Sequence, residues 1–206
     1  MKIYDFEGFP NPARVRIALK EKGLFEDVEF VAINVPGGEH RTAAFRAKNP
    51  AATVPVLELE DGTAISECTA ITEYLDSRTG EPELTGKTPK ERAVVAMMQR
   101  RAEAGLLDAV GAYFHHATPG LGPDIETWQC PDWGQYQRDR AVETMHYLDD
   151  VLADQDYLAG TDFSVADITA YAGLGFADFA GVTIPETCTN LMEWRTRMAE
   201  RPSIAS

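Results

Sequence analysis

The chain has 206 residues and 44% hydrophobic content, enough to bury a core in one large domain or two small ones. No apolar run approaches the about 18 residues that a membrane span needs, and Met1–Asp5 lacks the start of a signal peptide, so we expect a cytoplasmic protein without membrane attachment. With 33 acidic against 19 basic residues, the net charge of −14 argues against nucleic acid as a partner.

The cysteines exclude two further classes of protein. Cys68, Cys130 and Cys188 are odd in number and widely spaced along the chain. A disulfide framework or a zinc site needs more cysteines at closer, repeated spacings. We therefore predict isolated, reduced thiols and no metal site.

The first eighty residues alternate between strand and helix patterns. Strands are predicted at Lys2–Phe6, Val28–Ile33, Pro55–Leu59 and Thr63–Ile65. Helices are predicted at Pro12–Lys22, His40–Lys48 and Glu67–Ser77. The Asp61-Gly62 pair is typical of a hairpin turn between the last two strands. This order predicts a small α/β domain over residues 1–78.

A change of composition separates this domain from the rest. Residues 79–87 contain Gly80, Pro82 and Gly86 without periodicity, which is typical of a linker. Residues 88–206 show only helical patterns, so we predict an all-α bundle there. Its predicted helices are Pro89–His116 behind an N-cap at Thr88, Trp133–Ala153, Val165–Ala180 behind a capping box of Ser164 and Asp167, and Asn190–Ala199.

Two segments of the first domain predict a ligand site. Val54-Pro55 precedes an apolar strand, and because proline cannot donate to a sheet ladder, we expect an edge strand whose Val54 backbone is open to an extended peptide. The helix that opens at Glu67-Cys68 offers free N–H groups to a carboxylate. Together they suit a small peptide with an anionic end and a thiol, such as glutathione.

Several motifs resemble the cytosolic glutathione transferases over residues 1 to about 202. They are Val54-Pro55, Glu67 to Ile71, and Phe163 to Asp167. Asn11 to Leu19 and Tyr113 to Gly122 are similar to the atypical fungal class of that family. The resemblance implies a thioredoxin-like domain followed by an all-helical domain that forms the electrophile site. It also implies a homodimer with glutathione as co-substrate, active in detoxification.

The resemblance also implies roles for individual residues. Val54 pairs its backbone with the cysteinyl part of glutathione, and Pro55 is cis. Glu67 meets the γ-glutamyl amino group, and the Cys68 amide meets the γ-glutamyl carboxylate, although most relatives have Ser or Thr where this chain has Cys68. His40 occupies the position that contacts the glycyl carboxylate in related classes.

Activation of the thiol has no obvious agent in this sequence. A free thiol has a pKa near 8.5, and lowering it by two units requires about 2.7 kcal/mol. Residues 8–13 lack the Tyr, Ser or Cys that most relatives use, so Asn11 is the local candidate donor. The atypical fungal class is thought to hold a water with Ser and His; here the His is His115, and Gly111 stands at the Ser position.

Other readings stay open at this level. The thiolate could reduce peroxides, or the chain could be a non-enzymatic binding module of the same fold. Retention of both Val54-Pro55 and Glu67-Cys68 favours an enzyme that conjugates glutathione to apolar electrophiles. Tyr113, Phe114, Leu121 and Trp128 are candidate walls of the electrophile site, whereas His116, offset by about 100° from His115, is expected to be structural.

Overall fold

The chain divides into an α/β unit and a helical unit. The computed structural model describes residues 1–78, 80 and 82–205, and it groups the chain into residues 1–82 and residues 83–206. The predicted linker, residues 79–87, includes Thr79 and Glu81, which lie outside the described residues.

The first unit is a four-stranded mixed sheet with helices. The strands are β1 (Lys2–Asp5), β2 (Glu29–Ala32), β3 (Val56–Glu58) and β4 (Ala64–Ser66), in the spatial order β2-β1-β3-β4. β1 and β2 are parallel, and the other two pairs are antiparallel. The helices are α1 (Pro10–Glu21), α2 (Ala43–Arg46) and α3 (Cys68–Arg78), with 3-10 turns at Phe25–Asp27 and Glu39–Arg41. The predicted α/β fold class is confirmed.

The expectation of an edge strand after Val54-Pro55 is wrong. β3 is an inner strand that pairs with β1 on one side and β4 on the other. Proline is tolerated because Pro55 lies one residue ahead of β3, which begins at Val56, so no ladder donor is missing. Val54 therefore lies in the segment before the strand and not at a sheet edge.

The hairpin turn and the helix starts of this unit follow from local sequence patterns, and its two main helices cover a buried core. Gly62 has a φ of 86°, and Thr63 N–H donates to the Asp61 carboxylate at 2.9 Å, so the Asp-Gly hairpin prediction is confirmed. Helices α1 and α3 pack against a core that includes Ile3, Leu57 and Ile71, all fully buried. Helix α1 starts two residues earlier than predicted because Pro10, like Pro12, needs no N–H partner in the first turn.

The second unit is all-helical in its described part, apart from an isolated bridge between Tyr157 and Gly160. Its α-helices are α4 (Pro89–Ala102), α5 (Asp108–Ala117), α6 (Pro131–Leu152), α7 (Val165–Phe179), α8 (Thr189–Ala199) and α9 (Pro202–Ala205). The single helix predicted over Pro89–His116 is instead α4 and α5 joined by a π-helical turn at Glu103–Leu107. Gly105 in that turn allows close approach of α6, since a Cβ there would lie 2.9 Å from Cγ2 of Thr144.

Two capping boxes fix the helix starts of this unit. Thr88 and Glu91 exchange hydrogen bonds at the start of α4, and Ser164 and Asp167 do so at the start of α7, as predicted. α7 lies at the centre, and its side chains Ala166, Ala170 and Leu174 are buried in the main core cluster. Among the described residues, no helix has the length and apolarity to cross a bilayer.

Candidate active site

Three loops of the first unit meet at one end of its sheet. Val56 pairs with Ser66 in β4 and with Tyr4 in β1, so the segment before β3 lies beside the segments that follow β4 and β1. Those segments carry Val54-Pro55 and Glu67-Cys68, and α1, the helix after β1, carries Asn11 in its first turn. Candidate residues from distant parts of the sequence are therefore brought to the same sheet end.

The Val54 segment has no regular secondary structure, and the side chain of Asn49 holds the loop that leads into it. The Val54–Pro55 bond is cis, as expected, and Val54 is half-buried ahead of the strand. Asn49, which is 1% exposed, donates to the Thr53 carbonyl at 2.8 Å and accepts from Ala51 N–H at 3.1 Å. These bonds fix the path of the chain into Val54. The sequence reasoning missed Asn49, although Asn-Pro ahead of a short loop is a turn signal.

Glu67 occupies the junction between β4 and α3 in a strained conformation. Its φ is 70°, which costs a non-glycine residue about 1–3 kcal/mol, and such strained residues cluster at active sites, ligand clamps and switch regions. The Glu67 side chain is exposed, and its carbonyl accepts the Ile71 amide at 3.0 Å. Helix α3 begins at the next residue, so its positive dipole end lies beside Glu67.

Cys68 and Asn11, two residues far apart in the sequence, are in contact. Cys68 is 6% exposed within the apolar core, and its Sγ lies 3.4 Å from the Asn11 carbonyl. Arg14 Nη1 donates to Asn11 Oδ1 at 2.9 Å. Because a guanidinium only donates, it fixes the orientation of the Asn11 amide and leaves Nδ2 as the donor that the side chain offers to a ligand. The Cys68 thiol is buried, as structural thiols usually are.

His40 is buried with an unsatisfied ring nitrogen. It lies on the 3-10 turn Glu39–Arg41 and is 8% exposed. Its Nδ1 has no hydrogen-bond partner in the described part of the chain. Burial, then the charges of Arg41 and Arg46, lower the pKa of His40, so the ring is neutral at physiological pH. A buried polar atom without a partner costs free energy, which a ligand group would recover.

In the second unit, His115 is paired with a carboxylate. His115 lies in the last turn of α5, and its Nδ1 is 2.7 Å from Oε1 of Glu126. The His115 side chain is 42% exposed, whereas that of Glu126 is 10% exposed. Sequence reasoning found His115 and missed Glu126, because Glu126 reaches the ring through a loop with no helical periodicity.

Aromatic side chains surround the same helix end. Phe114 packs against Phe176 and Phe179 of α7 with ring centroids 5.4 and 5.7 Å apart, and Phe179 is 75% exposed. The sequence had not singled out Phe176 and Phe179. Trp128 contacts the His116 ring instead of this cluster, and Tyr113 packs on the helical core.

The position of Gly111, one turn before His115, has room for a side chain. A Cβ built there would meet only Cε1 of Phe176, at the ordinary contact distance of 3.5 Å. Within the described residues, no group of three or more His, Cys, Asp or Glu side chains is arranged to hold a metal ion.

Family models match parts of both units of the chain. Residues 10–78 match the N-terminal domain of glutathione S-transferases, and residues 135–202 match the C-terminal domain. Glutathione S-transferase 2 of Saccharomyces cerevisiae is 56% identical over 204 residues, which cover 99% of this chain and 88% of that protein.

Two solved structures superpose on nearly the whole chain. A glutathione S-transferase domain-containing protein from Marinobacter aquaeolei VT8 is 67% identical, with a TM-score of 0.98 over 99% of this chain and 100% of that one. Gtt2 from Saccharomyces cerevisiae is 56% identical, with a TM-score of 0.98 over 100% and 99% of the two chains. This chain therefore belongs to the glutathione S-transferase family.

Proposed function

We propose that this protein is a glutathione transferase that joins the glutathione thiolate to small apolar electrophiles by substitution or addition. The observation that carries the proposal is the meeting of the Val54 segment, the start of α3 and Asn11 at one end of the sheet. Membership of the family supports the activity. The chemistry adds or displaces at an electrophilic centre and needs no metal of the protein.

The proposed contacts follow from the chemistry of each group. The Val54 backbone pairs with the cysteinyl residue, and Pro55 shapes that segment. Glu67, acidic and exposed, binds the γ-glutamyl ammonium, while the Cys68 amide in the first turn of α3 binds the carboxylate. His40 donates to the glycyl carboxylate. With a net charge of −14, attraction for the anionic ligand has to come from such local groups.

Glutathione retention and turnover test the function directly. The full chain is passed over immobilised glutathione, and activity is then assayed spectrophotometrically with an aromatic halide. Retention with turnover is the expected result. Retention without halide turnover but with peroxide reduction indicates a peroxidase, and retention without either indicates a binding module. A protein that is not retained contradicts the whole site.

Asn49→Ala is expected to weaken glutathione binding by about 5- to 30-fold, corresponding to about 1–2 kcal/mol for lost loop hydrogen bonds. The loop that leads into Val54 loses the bonds to Thr53 and Ala51. Calorimetric titration with glutathione measures the change. Asp61→Ala is the matched control, since it removes a loop hydrogen bond at the far end of the β3–β4 hairpin and should leave affinity unchanged. Equal affinities of both variants would contradict the assignment.

For thiol activation we propose His115 acting through a water molecule, helped by the Asn11 amide. Gly111 lacks the hydroxyl that the fungal class is thought to use at this position. Gly111→Ser is accordingly expected to raise turnover by up to about tenfold, the value of one added hydrogen bond of about 1.4 kcal/mol. Gly111→Ala separates the hydroxyl from the improved helix propensity. If the serine and alanine variants turn over equally, no such water is held there.

We further propose a cytoplasmic homodimer with a role in detoxification. No disulfide joins Cys68, Cys130 and Cys188, all of which the structure describes, and this is typical of a protein in a reducing compartment. The homodimer is proposed because members of this family typically form homodimers. Light scattering of the purified protein at micromolar concentration should give twice the 22.7 kDa chain mass.

A further inference from the structure

We propose that Glu126 is a positioning residue that fixes the tautomer of His115 and so presents Nε2 as a base. This inference rests on the proposed role of His115 in thiol activation. An ionised carboxylate can only accept hydrogen bonds, so the 2.7 Å contact requires that Nδ1 of His115 carries the proton. In a neutral imidazole the proton-free nitrogen is then Nε2, whose lone pair can take a proton from water or thiol.

The loop after α5 is built around the Glu126 side chain. Leu121 N–H donates to the same Oε1 at 2.9 Å. Gly120 has a φ of 56°, and a Cβ at that position would lie 2.7 Å from both Cγ and Cδ of Glu126, so a larger residue would displace the carboxylate. Because the Glu126 side chain is nearly buried, the carboxylate is held in one place.

The end of α5 is tied to this loop by a second side chain. Gln129 Nε2 donates to the carbonyls of His115 and Thr118, both at 2.7 Å. These bonds fix the backbone of His115 without touching its ring. Gln129 therefore offers a control variant that loosens the loop and leaves the ring's own partner in place.

The neighbouring histidine has the opposite arrangement. The Cys130 amide donates to Nδ1 of His116 at 3.2 Å, so that nitrogen is an acceptor and the neutral ring carries its proton on Nε2. The His116 ring meets Trp128 edge to face at 5.3 Å. Adjacent histidines thus hold opposite tautomers, and each is set by its Nδ1 partner. This contrast indicates that the ring state of His115 depends on Glu126 and not on the helix end.

Imidazole ¹⁵N chemical shifts of histidine-labelled protein, measured at alkaline pH, test the proposal. We expect the Nδ1–H form for His115 and the Nε2–H form for His116. In Glu126→Leu, His115 should lose its Nδ1–H preference, and kcat should fall by about 10- to 100-fold, the range seen when a partner that orients a metal-binding histidine is removed. In Glu126→Gln the amide oxygen can still accept, so the tautomer should persist and kcat should fall less.

Gln129→Ala should leave the His115 tautomer unchanged. The change in kcat of this variant measures how much a looser loop alone lowers turnover. An Nε2–H form of His115 in the unmodified protein overturns the proposal, and so does an unchanged tautomer in Glu126→Leu. If Glu126→Leu does not fold, the unmodified protein and Glu126→Gln still decide the tautomer. If Glu126→Leu loses the Nδ1–H form of His115 but keeps full turnover, Glu126 orients a ring that the reaction does not use. That result overturns both the purpose assigned to Glu126 and the catalytic role of His115. Glutathione retention tests the binding function separately.

Discussion

His115→Ala is expected to lower kcat by about 10²- to 10⁴-fold, the range of a single acid–base group, while glutathione affinity stays within about twofold. The reason is that His115 is assigned to the thiol proton and not to the peptide backbone of the ligand. The apparent pKa of bound glutathione, read from the thiolate absorbance against pH, should rise toward the free-thiol value near 8.5.

His116→Ala is the matched control for this result. His116 lies next along α5 but accepts from the Cys130 amide and packs on Trp128, so its removal should cost stability without moving the thiol pKa. An unchanged pH–rate profile in His115→Ala would exclude His115 from the reaction. Activation would then have to come from Asn11 and the start of α1, whose dipole is worth only about 0.3–1 kcal/mol when exposed.

Local signals in the sequence were sufficient for most elements of the fold. Thr88 and Ser164 start helices because each side chain satisfies an amide that the helix leaves free, and this chemistry needs no tertiary context. Asp61-Gly62 places the hairpin for the same reason, since glycine adopts positive φ at little cost. The two halves differ in hydrophobic period, which separates an α/β fold from a helical bundle.

The order of the strands and the interruption of a helix could not be predicted from local sequence patterns. Pro55 indicated an edge, but the strand that follows it is an inner one, and its place between β1 and β4 depends on pairings across more than fifty residues. The π-helical turn at Glu103–Leu107 contains Gly105, where a Cβ would meet the Thr144 side chain of α6. Neither contact leaves a pattern at helical or strand spacing.

The residues of the candidate site differ in the same way in how far local sequence patterns predict them. Val54 and Cys68, whose proposed roles use the backbone and a helix start, could be singled out because proline and helix-opening patterns mark their positions. Groups that act on another side chain could not: Asn49 holds the loop before Val54, and Glu126 holds His115 from a loop. Their partners are defined only once the loops have folded.

Asp167→Ala is expected to lower the free energy of unfolding by about 3–5 kcal/mol, a large part of the about 5–15 kcal/mol of a typical protein. Asp167 is fully buried and accepts from the amides of Leu158 and Ser164, the Ser164 hydroxyl and the Trp194 indole. Its loss leaves buried donors without a partner at the start of the central helix. Urea unfolding followed by circular dichroism measures the change, and a loss below about 1 kcal/mol would contradict this account.

Asp167→Asn isolates the charge of this group and gives a pH dependence of definite sign. Burial raises the pKa of Asp167 from 3.8 to about 6, against the opposing effect of its four donors. Because the folded state holds the proton more tightly than the unfolded state, ionisation of Asp167 costs stability, progressively as pH rises from about 4 to about 6. Relative to Asp167→Asn, which cannot ionise, the unmodified protein should lose about 3 kcal/mol across that window. Other carboxyl groups are common to both proteins and cancel in the difference, so parallel stability curves between pH 4 and 7 would show that the four hydrogen bonds, and not burial, set the ionisation of Asp167.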